Sequence, residues 1–203
     1  IPIDEKSVVH SAEQLKKEAV EAIAICFLHS FLNPDHEQKC REIIKGVYPK
    51  AVISISSDVA PEFREYFRAS TTVINAGIQP VVEKYLSKIE SKLNEIGFKG
   101  ESLIMQSNGG VLTFKAAKFK PVFMVESGPA AGVIASTYIG NNLGFNNIMS
   151  FDMGGTTAKT GLIEKGTPRI TKEYEVGTAA RAEYGAKGSG YPIRTPVIDL
   201  IEI

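Results

Sequence analysis

Between residues 150 and 161 the chain reads Ser-Phe-Asp-Met-Gly-Gly-Thr-Thr-Ala-Lys-Thr-Gly, and part of that run has the chemistry of a phosphate site. An apolar strand delivers Asp152 to the edge of a turn in which Gly154 and Gly155 carry no Cβ, so backbone N–H groups can come close to an anion. Thr156 and Thr157 add hydroxyl donors. Asp152 suits a Mg²⁺ ion, held through water, that bridges the same phosphates. The same residues also suit an ordinary hairpin, where paired glycines serve only the turn. The segment alone leaves both readings open.

Two further segments could face a ligand. Ser107, Asn108, Gly109 and Gly110 follow a short apolar strand, at the kind of strand end where α/β sheets place ligands, although an Asn-Gly turn explains them equally well. Glu126-Ser127-Gly128-Pro129 opens a helix whose first N–H groups could bind an anion, or Ser127 could simply cap it with Pro129 in the first turn. Glu126 is an unusual neighbour for an anion unless it holds a metal or acts as a base. Other phosphate motifs are absent: there is no Gly-x4-Gly-Lys-Ser/Thr, and Gly185, Gly188 and Gly190 lack the dinucleotide spacing. His10, His29 and His36 are too scattered for a metal site, and His36-Glu37 lacks a second His four residues on.

The elements that must position these residues follow from periodicity. A helix running from Ser11 to Glu21, a strand over Ala22 to Leu28, a helix from Pro34 to Lys45 capped by Asn33, and a strand over Ala51 to Ile55 form an α/β layer. Helical patterns then cover Pro61 to Arg68 and Thr71 to Ile96, with Pro80 expected to kink or divide the second and Gly97 to end it. Arg64, Arg68 and Lys84 read as a basic face, solvated or functional. Strands are expected at Ser102 to Gln106 and Val122 to Val125, with a helix after Pro129 to about Leu143. That helix is rich in Ala, Gly and Ser, so it can lie close against a neighbour. Strands over 147–152, 158–164 and 169–175 read as an antiparallel meander, followed by a long loop over 177–195 and an apolar run from Pro196 in which Asp199 and Glu202 could face the same cleft.

The chain has 203 residues with 23 basic and 23 acidic side chains. This balance gives no net field toward nucleic acid or an anionic membrane, and no apolar run reaches the ~20 residues of a membrane span. Cys26 and Cys40 lack metal or redox spacing and read as inert thiols in a reducing, cytoplasmic setting. The missing initiator Met and the apolar end suggest an internal piece of a longer polypeptide.

Phe151-Asp-Met-Gly-Gly-Thr156 resembles the second phosphate loop of the hydantoinase A/5-oxoprolinase family. Four more stretches resemble the same family in its order: Phe27 to Glu37, Arg68 to Ala76, Met105 to Gly110, and Glu126 to Gly132. The resemblance implies an α/β fold of the actin-like ATPase type, a ribonuclease-H-like lobe with an antiparallel meander, joined to an adjoining α/β region. Residues 1–57 would complete an N-terminal lobe, and 58–203 would form a partial core carrying the phosphate loop at 152–157. It implies ATP and Mg²⁺ as cofactors, with Gly154, Gly155, Thr156, Thr157 and the 107–110 loop as nucleotide contacts, Asp152 as metal ligand and catalytic group, and Glu126 as a second catalytic group. A cyclic amide or ketone is the implied substrate, and a hydantoinase B-type subunit or domain the implied partner. A non-catalytic actin-like module is the alternative. Many relatives have Asp near the position of Lys159; a cation there could contact phosphate but removes a possible metal ligand, and the branch with Lys resembles both the ketone carboxylases and some hydantoinase-like proteins, which leaves the substrate class open. The family's first phosphate loop and adenosine segment are absent, so the chain alone is expected to be inactive.

Overall fold

A computed structural model describes residues 2–155, 157–172, 174–177 and 190–202. The chain divides into two compact units: residues 1–89, 118–122 and 175–194, and residues 90–117, 123–174 and 195–203.

The first unit opens with α1 (Glu5–Lys17), β1 (Ala22–Ile25), α2 (Asp35–Val47) and β2 (Val52–Ile55). Helix α1 starts earlier than its apolar pattern suggests because the Asp4 carboxylate accepts from the Lys6 and Ser7 N–H groups and caps it. Strand β1 is shorter than the apolar run, since the chain turns away at Cys26 and reaches a left-handed His29 (φ 58°). Asn33 accepts from Asp35 N–H at 2.9 Å, so the expected cap operates one residue before the α2 boundary, with Pro34 as the flanking residue. The strands pair in parallel, Ala22 with Val52 through Ile25 with Ile55. Ala12, Ile23, Ile25, Cys40, Ile44, Ile53 and Ile55 form the core between helices and strands.

After the short α3 (Ser56–Val59), a single helix α4 (Glu65–Glu95) replaces the two expected, and Pro80 does not divide it. The missing Pro80 N–H forfeits one main-chain bond. Tertiary contacts around it offset that loss, with Ala76, Gln79 and Leu86 all buried. Gly97 ends the helix as expected: at φ 76° it donates to Asn94 O while Phe98 N–H reaches Leu93 O. Arg68 is not on a solvated face, being 1% exposed. Its guanidinium donates to Phe27 O, Glu62 O and Ser56 Oγ and lies 5.3 Å from the centre of the Phe31 ring. Glu37, fully buried, accepts from Phe27 N–H, Ser57 N–H and the Ser56 hydroxyl. This polar network fixes the 27–31 turn. His10, His29 and His36 are exposed.

The second unit carries the hairpin β3 (Leu103–Met105) and β4 (Val111–Thr113), the short α5 (Phe114–Phe119, shared with the first unit), α6 (Ser127–Asn142), and the strands β5 (Ile148–Met153), β6 (Ala158–Glu164), β7 (Thr167–Pro168) and β8 (Ile170–Thr171). The meander holds for its first two strands, but in place of the third expected strand over 169–175 stand the short β8 and β9 (Tyr174–Val176), with β7 before them. Strand β10 (Tyr191–Ile193) pairs with β9; β11 (Val197–Ile198) pairs with β8, and β12 (Leu200–Glu202) with the free edge of β6. The expected strand at 122–125 is instead a 3-10 turn over Pro121–Met124. Ser107 serves it in place of a strand ladder: its N–H donates to Phe123 O at 2.8 Å, and its hydroxyl lies 2.7 Å from the same oxygen and 2.9 Å from Val125 O, one of which takes its single proton. Small residues let α6 approach the sheet closely, as expected: a Cβ on Gly140 would stand 1.9 Å from Ile148 Cδ1, and one on Gly161 2.5 Å from Val133 Cγ2. Ala130, Val133, Ile163 and Ile198 fill the interface. Residues 178–189 of the expected loop, with Gly185 and Gly188, lie outside the described residues. No described helix is long and apolar enough to cross a membrane.

Candidate functional site

Strand alternation and register build the site. In the β5 and β6 pair Asp152 lies opposite Lys159, and in the β12 and β6 pair Glu202 lies opposite the same lysine. A cation on the central strand is thus flanked by an acid on each neighbour, a favourable cross-strand arrangement. Helix α6 runs across these strands, and between them lies a cavity of about 230 Å³ lined by Pro129, Gly132, Ser136, Ser150, Asp152 and Lys159 among others. Gly132 faces Asp152 across this cavity: a Cβ there would stand 4.0 Å from Oδ2, in ordinary contact.

Asp152 is exposed, and its carboxylate makes no hydrogen bond or ion pair among the described residues. It is therefore open to water, a cation or a ligand. Among the described residues no group of three or more His, Cys, Asp or Glu side chains could hold a metal together. A cation at Asp152 would draw its remaining ligands from water and phosphate, as Mg²⁺ commonly does, so the donor set fits that ion. Gly154 N–H closes the turn onto Thr157 O at 3.0 Å. A Cβ on Gly155 would meet nothing within 4 Å among the described residues, whose packing therefore does not demand glycine there. Thr156 lies outside the described residues.

Glu126 has moved furthest from expectation. It occupies the cap position of α6 in the left-handed region (φ 69°) and makes no side-chain capping bond; Ser127 is already inside the helix. Its carboxylate instead binds the Lys159 ammonium through Oε2 and accepts the Tyr174 hydroxyl through Oε1 at 2.8 Å. The Glu202 carboxylate stands 3.9 Å from the same ammonium. Burial pushes the Tyr174 hydroxyl far above the ordinary tyrosine range, reinforced by its hydrogen bond to Glu126 and by the charges of Glu126 and Glu202. Tyr174 therefore stays a neutral donor.

The 107–110 loop has most of its polar groups committed elsewhere. The Ser107 N–H donates to Phe123 O, and Asn108 Oδ1 accepts from Gly110 N–H at 2.8 Å. Gly109, at φ 84°, abuts Ile134, so both its conformation and its lack of a Cβ are structural requirements. The structure brings Asp152, Lys159 and Glu126 together and adds Tyr174 and Glu202. Of the two late acids, Asp199 pairs with Arg169 at 3.2 Å. Tyr174 was not foreseen: it stands 48 residues from Glu126, and no local pattern marks that pairing.

With an α/β first unit, small antiparallel sheets in the second, and this site beneath α6, the chain belongs to the hydantoinase/oxoprolinase family. The Hydantoinase/oxoprolinase model matches residues 68–203, and the Hydantoinase/oxoprolinase N-terminal region model matches residues 1–48. An uncharacterized protein of Methanocaldococcus jannaschii is 46% identical over 202 residues, covering 100% of this chain and 30% of its own length. The caprolactamase alpha subunit of Pseudomonas jessenii is 31% identical over 172 residues, covering 85% of this chain and 25% of its own. The crystal structure of that ATP-dependent caprolactamase superposes with a TM-score of 0.81 at 29% identity, covering all of this chain and 28% of its own. A nucleotide-free structure of acetone carboxylase, from work on ATP-dependent acetone carboxylation, superposes with a TM-score of 0.84 at 29% identity over 100% of this chain and 27% of its own. The chain thus spans less than a third of the length of the relatives it matches. The relatives include both ATP-dependent hydrolases and carboxylases.

Proposed function

We propose that this chain supplies one phosphate-binding turn, Asp152 to Thr157, to the ATP site of a longer enzyme that hydrolyses a cyclic amide. The observation that carries this reading is an Asp152 carboxylate without hydrogen-bond or ion-pair partners among the described residues, at an open cavity that also holds Lys159, in the turn that carries Gly154 and Gly155. In this reading ATP supplies the phosphoryl group that makes an amide oxygen a good leaving group. Gly155 N–H and the threonine hydroxyls would offer donors to phosphate oxygens, Gly154 would shape the turn through its N–H bond to Thr157 O, Asp152 would hold Mg²⁺ through water, and Lys159 would offset anionic charge. Residues 1–57 would complete an N-terminal lobe, and residues 58–203 would form part of a ribonuclease-H-like, actin-like core. A hydantoinase B-type subunit would act with it, in line with a relative named as an alpha subunit. Because ATP needs groups converging from several sides, this chain alone turns over no ATP.

Ketone carboxylation is the second reading, favoured by the likeness to acetone carboxylase. One screen separates them: phosphate release by the full-length protein, with its partner subunit, on hydantoin, 5-oxoproline, caprolactam, or acetone with bicarbonate. Amide-stimulated release that is lost in Asp152→Asn supports the first reading. Carboxylated acetone would replace it with the second, and no stimulated release on any substrate would favour a non-catalytic module.

A further inference from the structure

Glu126 breaks a local rule: a residue with a Cβ sits in the left-handed region, at a helix N-terminus that has no side-chain cap and at a position where Ser, Thr, Asp or Asn would be the favoured residue. Such a departure persists where the side chain has another task. Here that task is visible, because both carboxylate oxygens are occupied, one by the Lys159 ammonium and the other by the Tyr174 hydroxyl. All three groups are at least half-buried, so the pairing is less screened than a surface ion pair. We infer that Glu126, aimed by Tyr174, is a counter-charge latch that holds Lys159 at the floor of the cavity, and that an incoming phosphate gains the lysine only by displacing Glu126.

The inference rests on the phosphate reading of the Asp152 turn and assigns roles within it. Lys159 becomes the phosphate contact. Glu126 is neither base nor metal ligand but the competitor that sets how strongly phosphate is held, and Tyr174 is a positioning residue acting through Glu126. Glu202, at 3.9 Å, is a weaker second counter-charge on the exposed side. The device limits affinity: a cation with no resident partner would retain phosphate more tightly and release product more slowly.

The test uses equilibrium binding by the full-length protein, measured by calorimetry with a non-hydrolysable ATP analogue and, separately, with inorganic phosphate. Glu126→Gln removes the competing charge and should tighten binding by on the order of tenfold, while Lys159→Met should weaken it by a similar factor. The double variant should bind like Lys159→Met alone, because Glu126 acts only through the lysine. Tyr174→Phe should tighten binding less than Glu126→Gln and add nothing to it. A purely structural role predicts weaker binding in every variant, together with lowered melting temperatures. If Lys159→Met weakens binding but Glu126→Gln does not tighten it, the latch is wrong and the phosphate site stands. If wild type binds the analogue and neither Asp152→Asn nor Lys159→Met changes its affinity, the turn is not a phosphate site and both readings fail.

Discussion

The buried network around Glu37 gives a stability prediction with a definite sign and pH dependence. Glu37 has no solvent exposure, and its two oxygens divide three donors: Oε1 takes Phe27 N–H at 2.8 Å and the Ser56 hydroxyl at 2.6 Å, and Oε2 takes Ser57 N–H at 2.8 Å. In Glu37→Gln one oxygen becomes an NH₂ group, and whichever way the amide turns, that group faces a backbone N–H. One hydrogen bond to a charged acceptor is lost and a buried donor is left without a partner, a combined cost of about 3 kcal/mol. Burial by itself would raise the Glu37 pKa, but the bonds from Ser56, Ser57 and Phe27 outweigh it and hold the group below its ordinary value of 4.5. A depressed folded pKa contributes stability that is fully present above that ordinary value and is lost as pH falls through the folded pKa. Urea denaturation followed by circular dichroism should therefore show a gap of about 3 kcal/mol between wild type and variant at neutral pH, narrowing in acid. A neutral-pH gap below about 0.5 kcal/mol, the range of ordinary surface changes, or a gap that widens in acid, would refute the account.

Glycine substitutions separate packing from ligand binding. Gly155→Ala meets open space, so the melting temperature should stay unchanged while the KM for ATP of the full-length enzyme rises; an unchanged KM would count against the turn as a phosphate cradle. Gly109→Ala combines a left-handed φ of 84° with a 2.5 Å approach to Ile134 Cδ1 and should destabilise by roughly 1 to 3 kcal/mol in denaturant titration. Asp4→Ala removes the α1 cap and should cost about 1 kcal/mol, read by the same titration.

What the sequence discloses here depends on whether the decisive contact is local. The Gly97 helix stop, the Asn33 cap, the β5 and β6 pairing and the close-packed α6 each depend on residues within a turn or on strand period, and each is legible. The turn at Pro121–Met124 is not, because an apolar run reads as a strand unless one knows that the Ser107 hydroxyl serves its carbonyls. Arg68 fails in the same way: a basic residue on a helix reads as solvated, and the carbonyls of Phe27 and Glu62 and the Ser56 hydroxyl oxygen, brought to it by the fold, make its burial tolerable. At the site, the turn chemistry of Asp152 to Gly155 could be seen directly, as could the oddity of Glu126 beside it. The resolution of that oddity could not be seen. Glu126 meets Lys159 33 residues on and Tyr174 48 residues on, distances over which periodicity carries no information. The misfit between Glu126 and its neighbours was itself the signal, since a carboxylate beside a site for an anion repels the ligand unless a cation, a metal or a proton answers its charge.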